Sequence, residues 1–262
     1  MMSKQSFKDK FRILLAYLKL SLKLATVNRI FKLRRERILG LKIDFFDYTI
    51  FYVLFREIFL RQLYYFEPKK STPLIVDGGA NIGMATLFFK WMYPNCEIHA
   101  FEPDPSTFKL LTKNVEQNCL TNVHLHNAAL VDKEGEIDFY IEGRKEGLLE
   151  MSVKPQRKYK YKIKTAGVIL SKFINKDFDF VKLDIEGAEP AVLENLDKEG
   201  KIRKIKEFVI EYHYKIKGDD HRMSKFLKLL EDNGFEYQMD AKCIPLYSKD
   251  QYQEILIYAY RN

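Results

Sequence analysis

Cysteine is scarce in this sequence. Cys96, Cys119 and Cys243 are its three cysteines; they stand far apart, form no CxxC pair and leave an odd number. That spacing argues against a disulfide framework and a cysteine-built metal knuckle, and the expectation is inert thiols in a reducing compartment. Long charge-free apolar runs are missing too. The most apolar stretch, residues 43–66, contains Asp44, Asp47, Arg56, Glu57 and Arg61, whereas a membrane span needs roughly 20 residues nearly free of charge. The first residues lack the build of a signal peptide, because Lys10, Arg12, Lys19 and Lys23 interrupt the apolar positions and no small-residue cleavage site follows. Internal repeats and low-complexity tracts are absent as well. A cytoplasmic protein is expected, with surface association at a membrane left open.

Acids are nearly absent from residues 1–42, which hold Asp9 and Glu36 against twelve Lys and Arg. The remainder carries 34 acids and 32 bases, so the formal charge of +8 belongs to the N-terminal segment. Such a segment can meet anionic lipid, nucleic acid or an acidic glycan. The plainer reading is a solvated helix face.

With 262 residues and 47% hydrophobic content, the chain can bury one full α/β core plus an appendage. Residues 7–39 read as helical, with Phe7, Phe11, Leu14, Leu15, Leu18 and Leu22 recurring at three- and four-residue steps. A second helix is expected from Asp44 to about Tyr65, and Pro68 and Pro73 bracket a turn. The expected division is a basic helical segment over 1–70 and a catalytic domain over 71–262. After Pro73, short apolar runs alternate with amphipathic stretches: strands at 74–76, 97–101, 122–126, 180–185 and 207–212, helices at 82–93, 104–116, 168–174, 188–196 and 219–232, and closing strands at 235–239 and 254–260. That alternation predicts βαβ units and a parallel sheet. Glu136 to Ile141 reads as an exposed strand and Gly143 to Gln156 as a loop. Lys158, Lys160, Lys162 and Lys164 alternate along a further strand, read as protection of a sheet edge, or more sharply as a strip for a polyanion.

The strongest chemical signal is Val76-Asp77-Gly78-Gly79-Ala80-Asn81-Ile82-Gly83, where the first strand meets the first helix of the domain. Small residues let backbone approach a ligand closely, and amides at a helix start can receive a carboxylate. Glu102 ends the next strand, 25 residues after Asp77, a position suited to both ribose hydroxyls of a nucleoside. A dinucleotide would need Gly-x-Gly-x-x-Gly, and here Ala80 takes the middle place. A carboxylate at Asp77 would repel a pyrophosphate and welcome the ammonium group of a methionine moiety, which favours S-adenosylmethionine. Asn127-Ala128-Ala129 follows the third strand, where polar groups can meet an adenine ring or simply close a turn.

Lys182-Leu183-Asp184-Ile185-Glu186-Gly187-Ala188-Glu189 is the second signal. It ends a buried strand at the carboxyl edge, where ligands bind in open α/β sheets. Three acids there are costly to bury without partners. Asp184 is read as functional, while Glu186 and Glu189 could serve the positive end of the following helix. Glu211 and His213 end the next strand, and His213 is a candidate base near neutral pH or an ordinary loop histidine. His99, His124, His126 and His221 show no metal-binding spacing, and no metal is expected.

At these motifs the chain resembles the FkbM methyltransferase family. The matching residues are Val76 to Gly83, Ala100-Phe101-Glu102-Pro103-Asp104, Asn127-Ala128-Ala129-Leu130, Val181 to Glu189 and Ile210-Glu211-Tyr212-His213, in order across about residues 71–240. Phe55-Arg56-Glu57-Ile58-Phe59 also looks like the helical lead-in of relatives. The resemblance implies a Rossmann-like class I methyltransferase fold, with a seven-stranded, mostly parallel sheet and an antiparallel final strand. It implies S-adenosylmethionine as donor and a hydroxyl on a sugar, glycan or other polyhydroxylated metabolite as acceptor. By position, Asp77, Gly79 and Asn81, within the loop of Gly78, Ala80 and Gly83, would hold the methionine part. Glu102 would hold the ribose, Asn127 and Ala128 the adenine, and Asp184, Glu211 and His213 would face the acceptor. Relatives carry Val or Leu where this chain has Gly78, a side chain expected only to pack. The competing readings are a nicotinamide-dependent oxidoreductase, a nucleic-acid methyltransferase, disfavoured because no Asn-Pro-Pro-Tyr-like motif follows the fourth strand, and a non-catalytic protein binding a membrane surface or partner. The residues carry no signal for oligomeric state.

Overall fold

The computed structural model describes residues 6–141, 151–152, 161–214, 222–241 and 253–261. Helix α1 (Phe7–Ala25) starts at Ser6, whose hydroxyl accepts from the Lys8 amide at 3.3 Å. It gives way to a short α2 (Val27–Ile30) and then to a hairpin of β1 (Arg35–Ile38) and β2 (Leu41–Asp44). The continuous helix expected over 7–39 is therefore interrupted, and its last residues are a strand. Leu39 and Gly40, both at positive φ (54° and 85°), make the two-residue turn, and Glu36 and Ile38 alternate inward. The helical reading failed there because charged β1 carries no apolar run.

Helix α3 (Tyr48–Phe55) is capped by Asp47, which accepts from the amides of Thr49 and Ile50 at 2.7 and 3.2 Å. It continues as a π-helical turn over Arg56–Leu60. Then follow β3 (Leu74–Gly78), α4 (Met84–Met92), β4 (Glu97–Phe101), α5 (Pro105–Glu116) and β5 (Val123–His126). Asp104 caps α5 through the Thr107 amide at 2.8 Å, with Pro105 in the first turn. The chain continues through β6 (Ala128–Leu130), β7 (Gly135–Ile141), β8 (Met151–Ser152), β9 (Tyr161–Val168), β10 (Phe178–Leu183), α6 (Glu189–Lys198), β11 (Ile205–Tyr214), α7 (Met223–Asp232), β12 (Glu236–Ala241) and β13 (Gln253–Tyr260).

Seven strands form the main sheet in the order β12-β13-β11-β10-β3-β4-β5. β13 runs antiparallel to both of its neighbours, and the pairs from β11 through β5 are parallel. This is the sheet that the family resemblance implies. The chain winds outward from β3 through β4 and β5, then crosses back to β10 on the other side of β3. The switch point, where an open sheet leaves a crevice at its carboxyl edge, therefore lies between β3 and β10.

A separate small sheet, β6-β9-β7-β8, was not foreseen. It corrects one expectation and completes another. Residues 168–174 are not a helix but the end of β9 and one 3₁₀ turn at Leu170–Lys172. β9 lies between β6 and β7, but β6 pairs only with residues 166–168, so among the described residues Lys162 and Lys164 have β7 as their strand neighbour on one side alone. Lys162 and Lys164 pair with Asp138 at 2.7 and 3.0 Å, and Lys164 also meets Glu136 at 3.3 Å. These are cross-strand ion pairs, so the lysines answer acids on β7. Lys158, Lys160, His221, Cys243 and most of the expected loop 143–156 lie outside the described residues.

Two apolar layers cover the sheet. One holds α6 and α7 with Leu193, Phe208 and Phe226. The other holds α4 and α5 together with α1, the hairpin and α3, so side chains before and after residue 70 share one core. Stacked and edge-on rings carry that layer inward: Phe45 on Phe51 at 4.4 Å, Phe55 on Phe59 at 5.0 Å, Phe59 on Phe88 at 5.3 Å and Phe89 on Phe180 at 5.5 Å. No helix among the described residues is long and apolar enough to cross a membrane.

Asn114 stitches the hairpin to the domain. It is fully buried, accepts from the Asp44 amide at 2.8 Å, and donates to the carbonyls of Asp44 at 2.9 Å and Ile82 at 2.8 Å. Asn114→Leu strands those backbone groups. The expected loss is roughly 2–4 kcal/mol of unfolding free energy, measured by urea titration; an unchanged midpoint would show that the stitch carries no weight.

Candidate functional site

A cavity of about 490 Å³ opens at the switch point, a size usual for a small-molecule site. Gly79, Ala80, Asn81, Glu102 and Ala128 line one end of it. Asp184, Glu186, Glu211 and His213 line the other, with Tyr64 and Lys182. Asp77, Gly78, Gly83 and Asn127 do not line it.

The loop after β3 turns at Gly79, where φ is +74° and an added Cβ would fall 1.9 Å from the Asp184 carbonyl oxygen. Only glycine fits where these two loops touch. The amides of Gly79 and Ala80 donate to the Phe101 carbonyl at 3.0 and 2.8 Å. Asn81, at φ 50°, sends its amide to Glu102 Oε2 at 2.9 Å, and the Asp104 amide reaches Oε1 at 2.8 Å. Burial raises the Glu102 carboxyl to about 8, and those two amides oppose that rise. Asn127 spends its side-chain amide on the carbonyls of Glu102 and Pro103, at 2.8 and 3.2 Å. It braces the glutamate's backbone from behind the cavity wall.

Gly78 departs from the expectation that a side chain there would merely pack. Leu130 Cδ1 stands 2.9 Å from where its Cβ would be, and the Lys182 carbonyl oxygen 3.1 Å. Leu130 fills the space in this chain.

Asp77 is fully buried. Its Oδ2 accepts from the Thr86 hydroxyl at 2.7 Å, while Oδ1 has no hydrogen-bond partner among the described residues and stands 3.4 Å from Lys182 Nζ. Lys182 sits beside Asp77 in the strand register and donates to the carbonyls of Gly78 and Gly79 at 3.1 and 2.7 Å. Burial works against its charge, but Asp77, then Asp184 and Glu211, outweigh it and raise the ammonium. The cation expected beside Asp77 is thus already present in the protein. The charge of Asp77 does not by itself distinguish a methionine ammonium from a pyrophosphate. Lys182 opens the second sequence signal, but nothing local marks Asp77, on a neighbouring strand, as its partner.

The loop after β10 is organised by Glu189, itself fully buried in the first turn of α6. It accepts from the amides of Ile185 at 3.1 Å and Gly187 at 2.9 Å, and holds His213 Nδ1 at 3.0 Å. Those bonds support Glu186 at φ 55°, a conformation unusual for a residue with a side chain. Glu186 Oε2 lies 3.4 Å from His213 Nε2. Burial disfavours charge on His213, yet Glu189, then Glu186 and Asp184, hold it well above its ordinary value. An imidazole whose hold on its proton is strengthened in this way is a poor proton acceptor at neutral pH. Burial likewise raises Glu186 to about 8 and, aided by Asp184, Glu211 to about 7. Glu211 Oε1 accepts from the Tyr64 hydroxyl at 2.5 Å, a partner 147 residues away that no local pattern marks. Asp184, Glu186 and His213 bring ligand atoms within 4.8 Å of one another, although His213 offers a lone pair to a cation only when deprotonated.

Sheet order, glycine loop and buried acid after β4 together define the Rossmann-like architecture of class I methyltransferases. The chain belongs to the FkbM methyltransferase family, whose domain model matches residues 77–237. It is similar to Methyltransferase 1 of Beauveria bassiana (strain ARSEF 2860), 30% identical over 165 residues that cover 55% of this chain and 66% of that protein, just under two thirds. It is also similar to Methyltransferase sdnD of Sordaria araneosa, 28% identical over 178 residues, 56% of this chain and 69% of that one. A shorter match, 34% over 84 residues, reaches 31% of this chain and 32% of 31-O-demethyl-FK506 methyltransferase FkbM of Streptomyces tacrolimicus. Among solved structures, methyltransferase FkbM from Methylobacillus flagellatus KT aligns over 97% of this chain and 60% of that chain, with TM-score 0.48 and 15% identity.

Lys182→Met would leave Asp77 charged and buried alone. The expected cost is roughly 3–5 kcal/mol in chemical denaturation, partly restored in the Asp77→Asn/Lys182→Met double variant. Equal stability of the single variant and the parent would remove Lys182 as the partner that matters.

Proposed function

We propose that this chain transfers a methyl group from S-adenosylmethionine to a hydroxyl of a sugar, glycan or other polyhydroxylated metabolite. The observation that carries the reading is one cavity with two differently built ends. At one end, Glu102 is buried, braced by two amides and faced by a glycine loop. That end fits the donor: Glu102 meets the ribose hydroxyls, Gly79 to Asn81 pass the methionine part, and Ala128 lies along the adenine. Asp77 acts through Lys182 and the loop carbonyls, and Asn127 through the Glu102 backbone. Gly78 and Gly83 shape the loop. The donor supplies an electrophilic methyl group on a sulfonium.

The acceptor end is rich in acids: Asp184, Glu186 and Glu211, with Asp240 and Glu254 at its wall. Carboxylates accept hydrogen bonds from several hydroxyls at once and repel a phosphodiester backbone, which favours a polyhydroxylated acceptor over nucleic acid. Because the donor is already activated, the protein's task is to position the acceptor oxygen and accept its proton. Asp184 and Glu211 are the acceptors of that proton. His213, held by Glu189, keeps the loop after β10 in place and so positions Asp184.

Calorimetric titration should show binding of S-adenosylhomocysteine and none of NAD, with affinity lowered roughly tenfold or more in Glu102→Gln. NAD binding at that site would overturn the donor assignment. Asp184→Asn should keep donor affinity and lose turnover on a panel of free and lipid-linked saccharides, followed by product mass; full activity would exclude Asp184.

A base must be ionised to work, so kcat/KM should rise with pH through about 7, the region to which Glu211 is raised. That limb should vanish in Glu211→Gln and survive in His213→Ala. The reverse pattern would make the histidine the base.

A further inference from the structure

Helix α1 is apolar on two opposite sides. Ile13, Ala16 and Leu20 are buried against the domain. At about 100° per residue, Phe7, Phe11, Leu14, Leu15, Leu18 and Leu22 form a second stripe on the far side. All six are exposed, Phe7 to 84% and Leu22 to 66%. Just beyond the helix, Ile30 and Phe31 are exposed to 77% and 65%. Monomeric soluble proteins rarely leave so large a contiguous apolar surface to water.

The flanks of the stripe are basic. Lys8, Arg12, Lys19 and Lys23 run along one side and Lys10 along the other. Some of these also serve the protein: Arg12 meets Asp9 at 3.2 Å, and Lys23 meets Glu36 at 2.7 Å. Arg29, Lys32 and Arg34 continue the positive charge beside Ile30 and Phe31. The helix is seated on the domain by Tyr17, which stacks on Tyr52 at 5.2 Å and accepts a hydrogen bond from its hydroxyl at 2.6 Å. It is therefore held with the stripe facing outward.

The geometry points to an anionic phospholipid surface as the occupant of this face, with α1 lying in the interface plane and its outer stripe roughly 5–10 Å into the headgroup and acyl boundary. Charge complementarity decides among occupants. A lipid headgroup layer offers negative charge on both flanks and an apolar centre between them. A second copy would set one basic rim against another, and nucleic acid would leave the apolar centre uncovered. This inference is independent of the donor and acceptor readings.

The test is sedimentation of the full chain with vesicles of phosphatidylcholine, with and without phosphatidylglycerol. Binding is expected to the anionic vesicles, weaker to the neutral ones, and reduced by salt. Leu14→Glu/Leu18→Glu should lower partitioning roughly tenfold or more with thermal unfolding unchanged, since neither residue is in the core. Lys8→Glu/Lys19→Glu should lower it on anionic vesicles alone. No sedimentation of the parent protein with anionic vesicles overturns the proposal, as does undiminished binding by both variants. A dimer in sedimentation velocity that Leu14→Glu/Leu18→Glu dissociates, without vesicle binding, would assign the face to a second copy.

Discussion

The site depends on the buried pair of Asp77 and Lys182. Neighbouring strands β3 and β10 place the two side chains together, 3.4 Å apart, with Lys182 at the cavity wall and Asp77 behind it. Lys182 also binds the carbonyls at the start of the glycine loop. One ammonium group thus neutralises a carboxylate that could not be buried alone and ties down the backbone that a ligand must pass. Gly79 locks the loop after β10 to it from above, because its missing side chain is the space that the Asp184 carbonyl occupies. Each loop needs the other's position, and both need the charge balance beneath them.

A second network follows the same logic further along the edge. Glu189 supplies the hydrogen bonds that bend residues 185–187 and orients His213 with the same carboxylate. A group that looks catalytic from its residue type is held charged by its surroundings. Glu211, which looks like an ordinary acid, is raised to about 7, chiefly by burial. Burial and neighbouring charge thus move these two groups in ways that residue type alone does not suggest.

The N-terminal segment joins the layer that α4 and α5 lay over the sheet. Aromatic rings from Phe45 to Phe59 carry its packing inward to Phe88, and Asn114 fixes its hairpin. Its inner surface belongs to the common core, while the outer surface of α1 stays apolar and basic-rimmed. Helix α1 carries apolar residues on two opposite faces, with Ile13, Ala16 and Leu20 inward and Phe11, Leu14 and Leu18 outward.

The sequence by itself determined the alternating strands and helices from Leu74 onward, the glycine loop, and the acids that close β4, β10 and β11, because each is written in local periodicity or in residues a few positions apart. Hydrophobic runs locate strands, and turn residues locate loops, whatever lies across the sheet. The tertiary structure decided what those residues touch. Lys182 finds Asp77 across 105 positions, Tyr64 finds Glu211 across 147, and lysines read as an exposed edge meet acids on a neighbouring strand. The helix expected through residue 39 became a hairpin, and that at residues 168–174 became the end of a strand with one 3₁₀ turn. Pairing, burial and charge state depend on groups far apart in the chain, and local pattern carries no record of them.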